Sequence, residues 1–199
     1  MLGLAFIFVF LIYLLISIGV IAYTVRKAKE RGIAGWKWGV PVTLVMYLIV
    51  FWDHIPTLIA HKYYCEKEAE FFVYKTLDQW KQENPGVAET LVANRVAPSE
   101  RQGSYENYVD TYFLNQRFNW VVKHNGKFLF NRWRHEQEVV DSKTNEVLAR
   151  YVDFSTAQIE AGGGWYGWKF WLHIPRCNGG SVNQDNLRNF KNELRGVEK

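Results

Sequence analysis

Leu2 to Thr24 runs for 23 residues without a charged side chain. As a helix rising about 1.5 Å per residue, that run is long enough to cross a hydrocarbon core of about 30 Å. Basic residues follow it, from Arg26 onward, and none precedes it. A cleaved signal peptide has the opposite order, so the pattern predicts a retained transmembrane helix over about 2–24.

A second apolar run starts at Trp36-Lys37-Trp38 and reaches Phe51-Trp52. Aromatic residues at both ends suit the two membrane–water interfaces. Its uncharged part is only 15 residues, and continuing through Asp53-His54 to Ala60 gives 23, so the predicted span is about 38–60. Pro41 is expected in the first turn, where its missing N–H costs little. Pro56 predicts a kink or an end just beyond Asp53-His54. A short link at 25–37 joins the two spans, which makes residues 1–61 an antiparallel transmembrane hairpin.

Beyond residue 61 the pattern changes to short, mixed segments. Glu70–Lys75 reads as an aromatic strand. Thr76-Leu-Asp-Gln79 has the form of a capping box, opening a short helix that carries Leu77 and Trp80 and stops before Asn84-Pro85-Gly86. Asn125-Gly126, between two aromatic runs, predicts a two-residue type I′ hairpin turn. That register sets Trp120 opposite Asn131 and Phe118 opposite Trp133. A second hairpin turns within Asp141–Glu146, pairing Val140 with Val147, His135 with Val152 and Trp133 with Phe154.

Alternation then sorts the strands into two faces. Phe118, Trp120, Val122, Leu129, Trp133, Val139, Leu148, Val152 and Phe154 share a predicted core face. Arg117, Arg132, Arg134, Glu136, Glu138, Tyr151 and Asp153 share the other. After the Ala161–Gly164 connection, Trp165–His173 reads as a further strand. Leu187, Phe190 and Leu194, three and four apart, predict a helix over about 184–195. The expected fold is a membrane-anchored α+β protein: a two-helix transmembrane hairpin, then an antiparallel β-meander domain at 62–199 with a short N-terminal helix and a C-terminal helix.

Charge refines this picture. The whole chain carries +4, and +3 of it lies in the first 61 residues, where Arg26, Lys27, Lys29, Arg31 and Lys37 face only Glu30 and Asp53. The remaining segment is near balance, with 19 basic and 18 acidic residues. A nucleic-acid-binding domain needs a basic face, so no nucleic-acid partner is expected. The basic link points to the cytoplasm by the positive-inside rule. Lys62, Lys67 and Lys75 on the other side of the second span oppose it. The expected location is a bacterial inner membrane, with the link cytoplasmic and domain 62–199 periplasmic.

Few residues offer chemistry. Cys65 and Cys177 are the only two cysteines, and in an oxidising compartment they are expected to form a disulfide. Asp53 and His54, with His61 further on, form a polar group at membrane depth, where such residues often mark proton paths or metals. Adjacent residues point about 100° apart on a helix, however, and two imidazoles make a poor metal site. On the predicted polar face Arg117 opposes Arg134, and Arg134 opposes Asp153. Two facing arginines suggest an anion site, or simply a surface ion pair with one solvated arginine. Trp165 and Trp171 share a strand face that Trp168 does not, which suits packing better than a stacking groove. His124 flanks a turn, and His135 and His173 stand isolated.

No Gly-rich phosphate loop, HExxH, GxSxG or paired-carboxylate motif appears, so no catalytic set, metal or cofactor is assigned. The leading functional expectation is a membrane-anchored interaction module, an accessory or assembly subunit with a membrane-protein partner and lipid around its helices. The second is a domain that binds or senses a small ligand. The third is a membrane enzyme or redox-linked protein using Asp53, His54 and His61.

Overall fold

The computed structural model describes residues 2–94, 99–104, 107–128, 132–156, 169–177 and 180–195. The chain divides into two units, Met1–Pro56 and Thr57–Lys199.

In the first unit, α1 (Leu2–Glu30) is long and apolar enough to span a membrane. It ends at Gly32, whose φ of +72° is a conformation that L side chains rarely adopt. The Ile33 N–H donates to the Ala28 carbonyl and the Gly32 N–H to the Lys29 carbonyl. This is a Schellman motif, which satisfies carbonyls that the last turn leaves open. The chain then reverses into α2 (Trp36–Phe51). Gly35 and Gly39 let the helices approach: a Cβ on either would lie 2.9 or 3.0 Å from a methyl of Val25. Tyr13 donates to the Met46 carbonyl, and Phe10 meets Phe51 edge-on at 6.1 Å.

The second predicted span is not continuous. It breaks at Trp52-Asp53, and α3 (His54–Lys67) starts afresh. Only taken together do α2 and α3 reach the length and apolarity of a span. Pro56 accounts for the break: it has no N–H to give to the Trp52 carbonyl four residues back, and its ring crowds that carbonyl. Pro41 lies inside α2, one turn deeper than expected.

The second unit is built on a six-stranded antiparallel sheet of order β1-β6-β5-β4-β3-β2. The strands are β1 (Glu70–Val73), β2 (Ser99–Gly103), β3 (Asn107–Phe113), β4 (Phe118–Phe128), β5 (Arg132–Asp141) and β6 (Glu146–Thr156). Strands β2 to β6 form a meander, and β1 closes onto β6. Between β1 and β2 lies α4 (Leu77–Glu83), opened by the capping box: the Gln79 N–H donates to the Thr76 hydroxyl, and the Thr76 N–H to the Gln79 side chain. The C-terminal helix α5 (Gly180–Arg195) is longer than its predicted stripe. Its Leu187, Phe190 and Leu194 join Trp80, Leu114, Phe118, Val139, Leu148 and Tyr151 in the main core.

Two registers differ from expectation, for one reason each. Asn125 and Gly126 do not turn. They lie within β4, which pairs Trp120 with Val139, His124 with His135 and Asn125 with Arg134 before an irregularity ahead of the Phe128–Arg132 pair. Extending the ladder through Asn-Gly sets Lys123 against Glu136, with its ammonium 2.6 Å from Glu138. Opposite charges across strands stabilise that register. In the second hairpin Val140 does pair with Val147, but a bulge at Leu148 then shifts the ladder by one residue. His135 consequently faces Asp153, and Trp133 faces Ser155.

A one-residue shift exchanges the faces of a strand. Tyr151, Asp153 and Ser155 therefore point toward the α5 side with His135, while Val152 and Phe154 pack on the other side with Tyr64, Cys65, Ala69 and Cys177. The strand predicted at 165–173 is also corrected where it is described: Phe170–Leu172 is a 3-10 turn with Trp171 buried. Ala161–Gly164, Trp165, Trp168 and Leu129 lie outside the described residues.

Candidate functional site

The curved face of β3, β4 and β5 and the overlying α5 enclose a cleft of about 290 Å³. Asp110, Tyr112, Trp120, Val122, His124, His135 and Gln137 supply the sheet wall, and Arg176, Gln184, Leu187, Arg188 and Lys191 supply the other. The amphipathic pattern of α5 explains the second wall. Its apolar stripe packs on the core, and Arg188 and Lys191, beside that stripe, fall at the rim.

The cleft is cationic. Lys191 holds its ammonium 3.2 Å from the centre of the Trp120 ring, a cation–π contact. Burial, reinforced by Arg188 and Arg195, pushes the Lys191 ammonium down to about 8. The one acidic wall residue, Asp110, is taken by a two-pronged bond from Arg101 at 2.6 and 2.7 Å. That bond holds its carboxyl below the usual range. Arg188 contacts Asp185 at 2.8 Å on the solvent side, where such a pair is worth at most about 1 kcal/mol.

A polar chain runs from the cleft into the sheet. The Tyr108 ring stacks on His124 at 4.4 Å, and the Arg101 guanidinium lies 4.3 Å from the centre of the Tyr108 ring. His124 and His135 meet through their Nδ1 atoms at 2.9 Å, and His135 Nε2 lies 2.8 Å from the Ser155 hydroxyl. One Nδ1 carries the proton that the other accepts, and which does so depends on the tautomers. Ser155 is fully buried and outside the cleft wall. Its hydroxyl holds the His135 ring from within the sheet.

The residues singled out from sequence fall in several places. Arg117 and Arg134 do not face one another. Arg117 binds Asp141 at 2.6 Å, while Arg134 lies on the opposite sheet face with Glu136 at 3.0 Å and Glu68 at 3.8 Å. Asp153 faces His135 and not Arg134; it accepts from the Tyr151 hydroxyl at 2.9 Å and from the Cys177 N–H at 3.3 Å. Arg134 and Arg150 line another recess of about 310 Å³, but Arg150 is also held by Glu136 at 3.0 Å. Charge there is balanced, unlike in the cleft.

Asp53 is buried at the helix break, and the Tyr47 hydroxyl lies 2.7 Å from His54 Nδ1. His61 takes its contacts within the second unit: a sulfur, Cys65 Sγ, 3.5 Å from its Nδ1, and the Phe154 backbone carbonyl. Cys65 and Cys177 stand at disulfide distance, 2.05 Å between sulfurs.

Sequence reasoning missed His124, His135 and Lys191. Its hairpin register placed His124 beside Lys127 and left His135 alone. The signal that could have found the pair was charge complementarity, because only the longer ladder puts Lys123 among Glu136 and Glu138. Comparison with known proteins finds no matching family model, curated protein or solved structure.

Proposed function

We propose that this chain is a membrane-tethered domain that binds a small anion, of the phosphate or carboxylate class, in the cleft beneath α5. The observation that carries this reading is the meeting of Arg188 and Lys191 at a cleft whose acidic wall residue, Asp110, is already bound by Arg101. Like charges held together at a partly buried site repel, and an anion between them relieves that repulsion with charge-assisted hydrogen bonds. Trp120 and Tyr112, stacked at 4.6 Å, give the site a flat apolar wall. The volume, about 290 Å³, suits a small molecule.

Among the described residues no serine, threonine or cysteine lines the cleft, which favours binding over nucleophilic catalysis. The same geometry favours the small-ligand reading over an assembly module, since the cleft is a concave site rather than a flat docking face. Helix α1 serves as the tether, with the soluble unit on the extracytoplasmic side, where a Cys65–Cys177 bond persists.

Calorimetric titration of the full chain in detergent with inorganic phosphate and with citrate tests this. Saturable one-to-one binding that weakens at least about tenfold in Arg188→Ala/Lys191→Ala is expected from two charge-assisted bonds. Equal affinity in the folded double variant rules the cleft out.

A further inference from the structure

Beside the disulfide stands the imidazole of His61. His61 lies one helical turn before Cys65 on α3, so both side chains project from the same face. Its Nδ1 and Nε2 are 3.5 and 3.7 Å from Cys65 Sγ. Donor atoms of His61, Cys65 and Cys177 all lie within 4.8 Å of one another. The Phe154 carbonyl accepts a hydrogen bond from the His61 ring.

We propose that these three residues form a Zn²⁺ site when the Cys65–Cys177 bond is reduced, so that the same sulfurs hold either each other or the metal. Tetrahedral zinc has Zn–S of about 2.3 Å and Zn–N of about 2.0–2.1 Å. Those lengths put neighbouring S and N ligands about 3.6 Å apart and two sulfurs about 3.8 Å apart. The His61–Cys65 separation already meets the first value, whichever ring nitrogen keeps the Phe154 bond. Reduction frees the two sulfurs to separate, and the Cys177 sulfur lies within 4.8 Å of a His61 ring nitrogen.

A ligating histidine characteristically gives its second N–H to a carbonyl, and Phe154 provides one. Asp153, buried and holding the Cys177 N–H at 3.3 Å, fixes the backbone of the third ligand and adds a negative charge near the cation. Two thiolates and one imidazole leave a fourth position for water or an added ligand. The step balances: a dithiol reductant transfers two electrons and two protons to the disulfide and itself becomes a disulfide. Zn²⁺ then displaces the two thiol protons.

The test uses the full chain in detergent, disulfide-intact or reduced with a phosphine, titrated with Co²⁺ and then with Zn²⁺. The reduced protein is expected to bind one Co²⁺ with a thiolate-to-metal charge-transfer band that Zn²⁺ abolishes, while the intact protein shows no such band. His61→Ala is expected to weaken Zn²⁺ binding at least about tenfold, judged by competition with a chromophoric chelator. Circular dichroism guards against loss of fold: if reduction loosens the domain, Zn²⁺ must restore its signal. Absence of the band, a His61→Ala affinity equal to wild type, or a reduced domain that Zn²⁺ does not restore each overturns the proposal.

Discussion

Asp141 shows how one side chain can hold two elements. Its carboxylate accepts from the Trp80 indole at 2.8 Å and from the Lys143 N–H at 2.9 Å, and it pairs with Arg117 at 2.6 Å. Burial pushes its carboxyl up, but the bonds from Trp80, Arg117 and Lys143 outweigh that and hold it below the usual carboxylate range. Removing one partner of a buried pair strands the other, so Asp141→Ala is expected to destabilise the domain by about 3 kcal/mol in chemical denaturation. Lys191 works in the opposite direction. Its ammonium is lowered to about 8 from 10.5. Between those values the unfolded chain holds a proton that the folded chain does not, so raising pH through this window stabilises the fold. Thermal unfolding of Lys191→Met should lose that part of the pH dependence seen in the wild type. Neither residue stood out in the sequence. Asp141 reads there as an ordinary turn residue, and Lys191 as an ordinary solvated position, because their partners come from distant segments.

Elements were legible where a local rule fixed them. Thr76-x-x-Gln79 announced α4, and both reciprocal bonds are present. Thr76→Ala is expected to cost about 1 kcal/mol by urea denaturation, since it removes a side-chain acceptor while leaving Trp80 in place. The Leu187, Phe190, Leu194 stripe likewise announced α5. Strand pairing was less legible, because register is decided by partners on another strand. Asn-Gly favours a turn locally, yet the charge pairing around Lys123 and burial of Val122 and Phe118 favour a longer ladder. The Leu148 bulge has no signature in composition, and it alone moved Asp153 and Ser155 to the face of His135. The candidate cleft was therefore invisible from sequence: it needed the correct β4–β5 register, the bulge and α5 together.

For the whole molecule, the apolar run at the N-terminus was the plainest feature of the sequence, and α1 matches it over its full length. Its apolar side chains, from Leu4 to Val20, are largely exposed in the isolated chain. Exposed apolar area on this scale seeks lipid or a partner helix. Alkaline extraction of membranes should therefore leave the full chain in the pellet; release into the supernatant would argue against a tether. The break between α2 and α3 was less legible because Pro56 acts four residues away from itself, at the Trp52 carbonyl. The proposed function is anion binding beneath α5, and Lys191 reports on it directly. Specific ¹³C labelling of lysine and an NMR titration would give the protonation midpoint of Lys191 with and without saturating inorganic phosphate. The account predicts a midpoint near 8 in the free protein and a clear rise when phosphate is bound, because an anion beside the ammonium favours its charged form. A midpoint that phosphate leaves unmoved would contradict the cleft as the binding site.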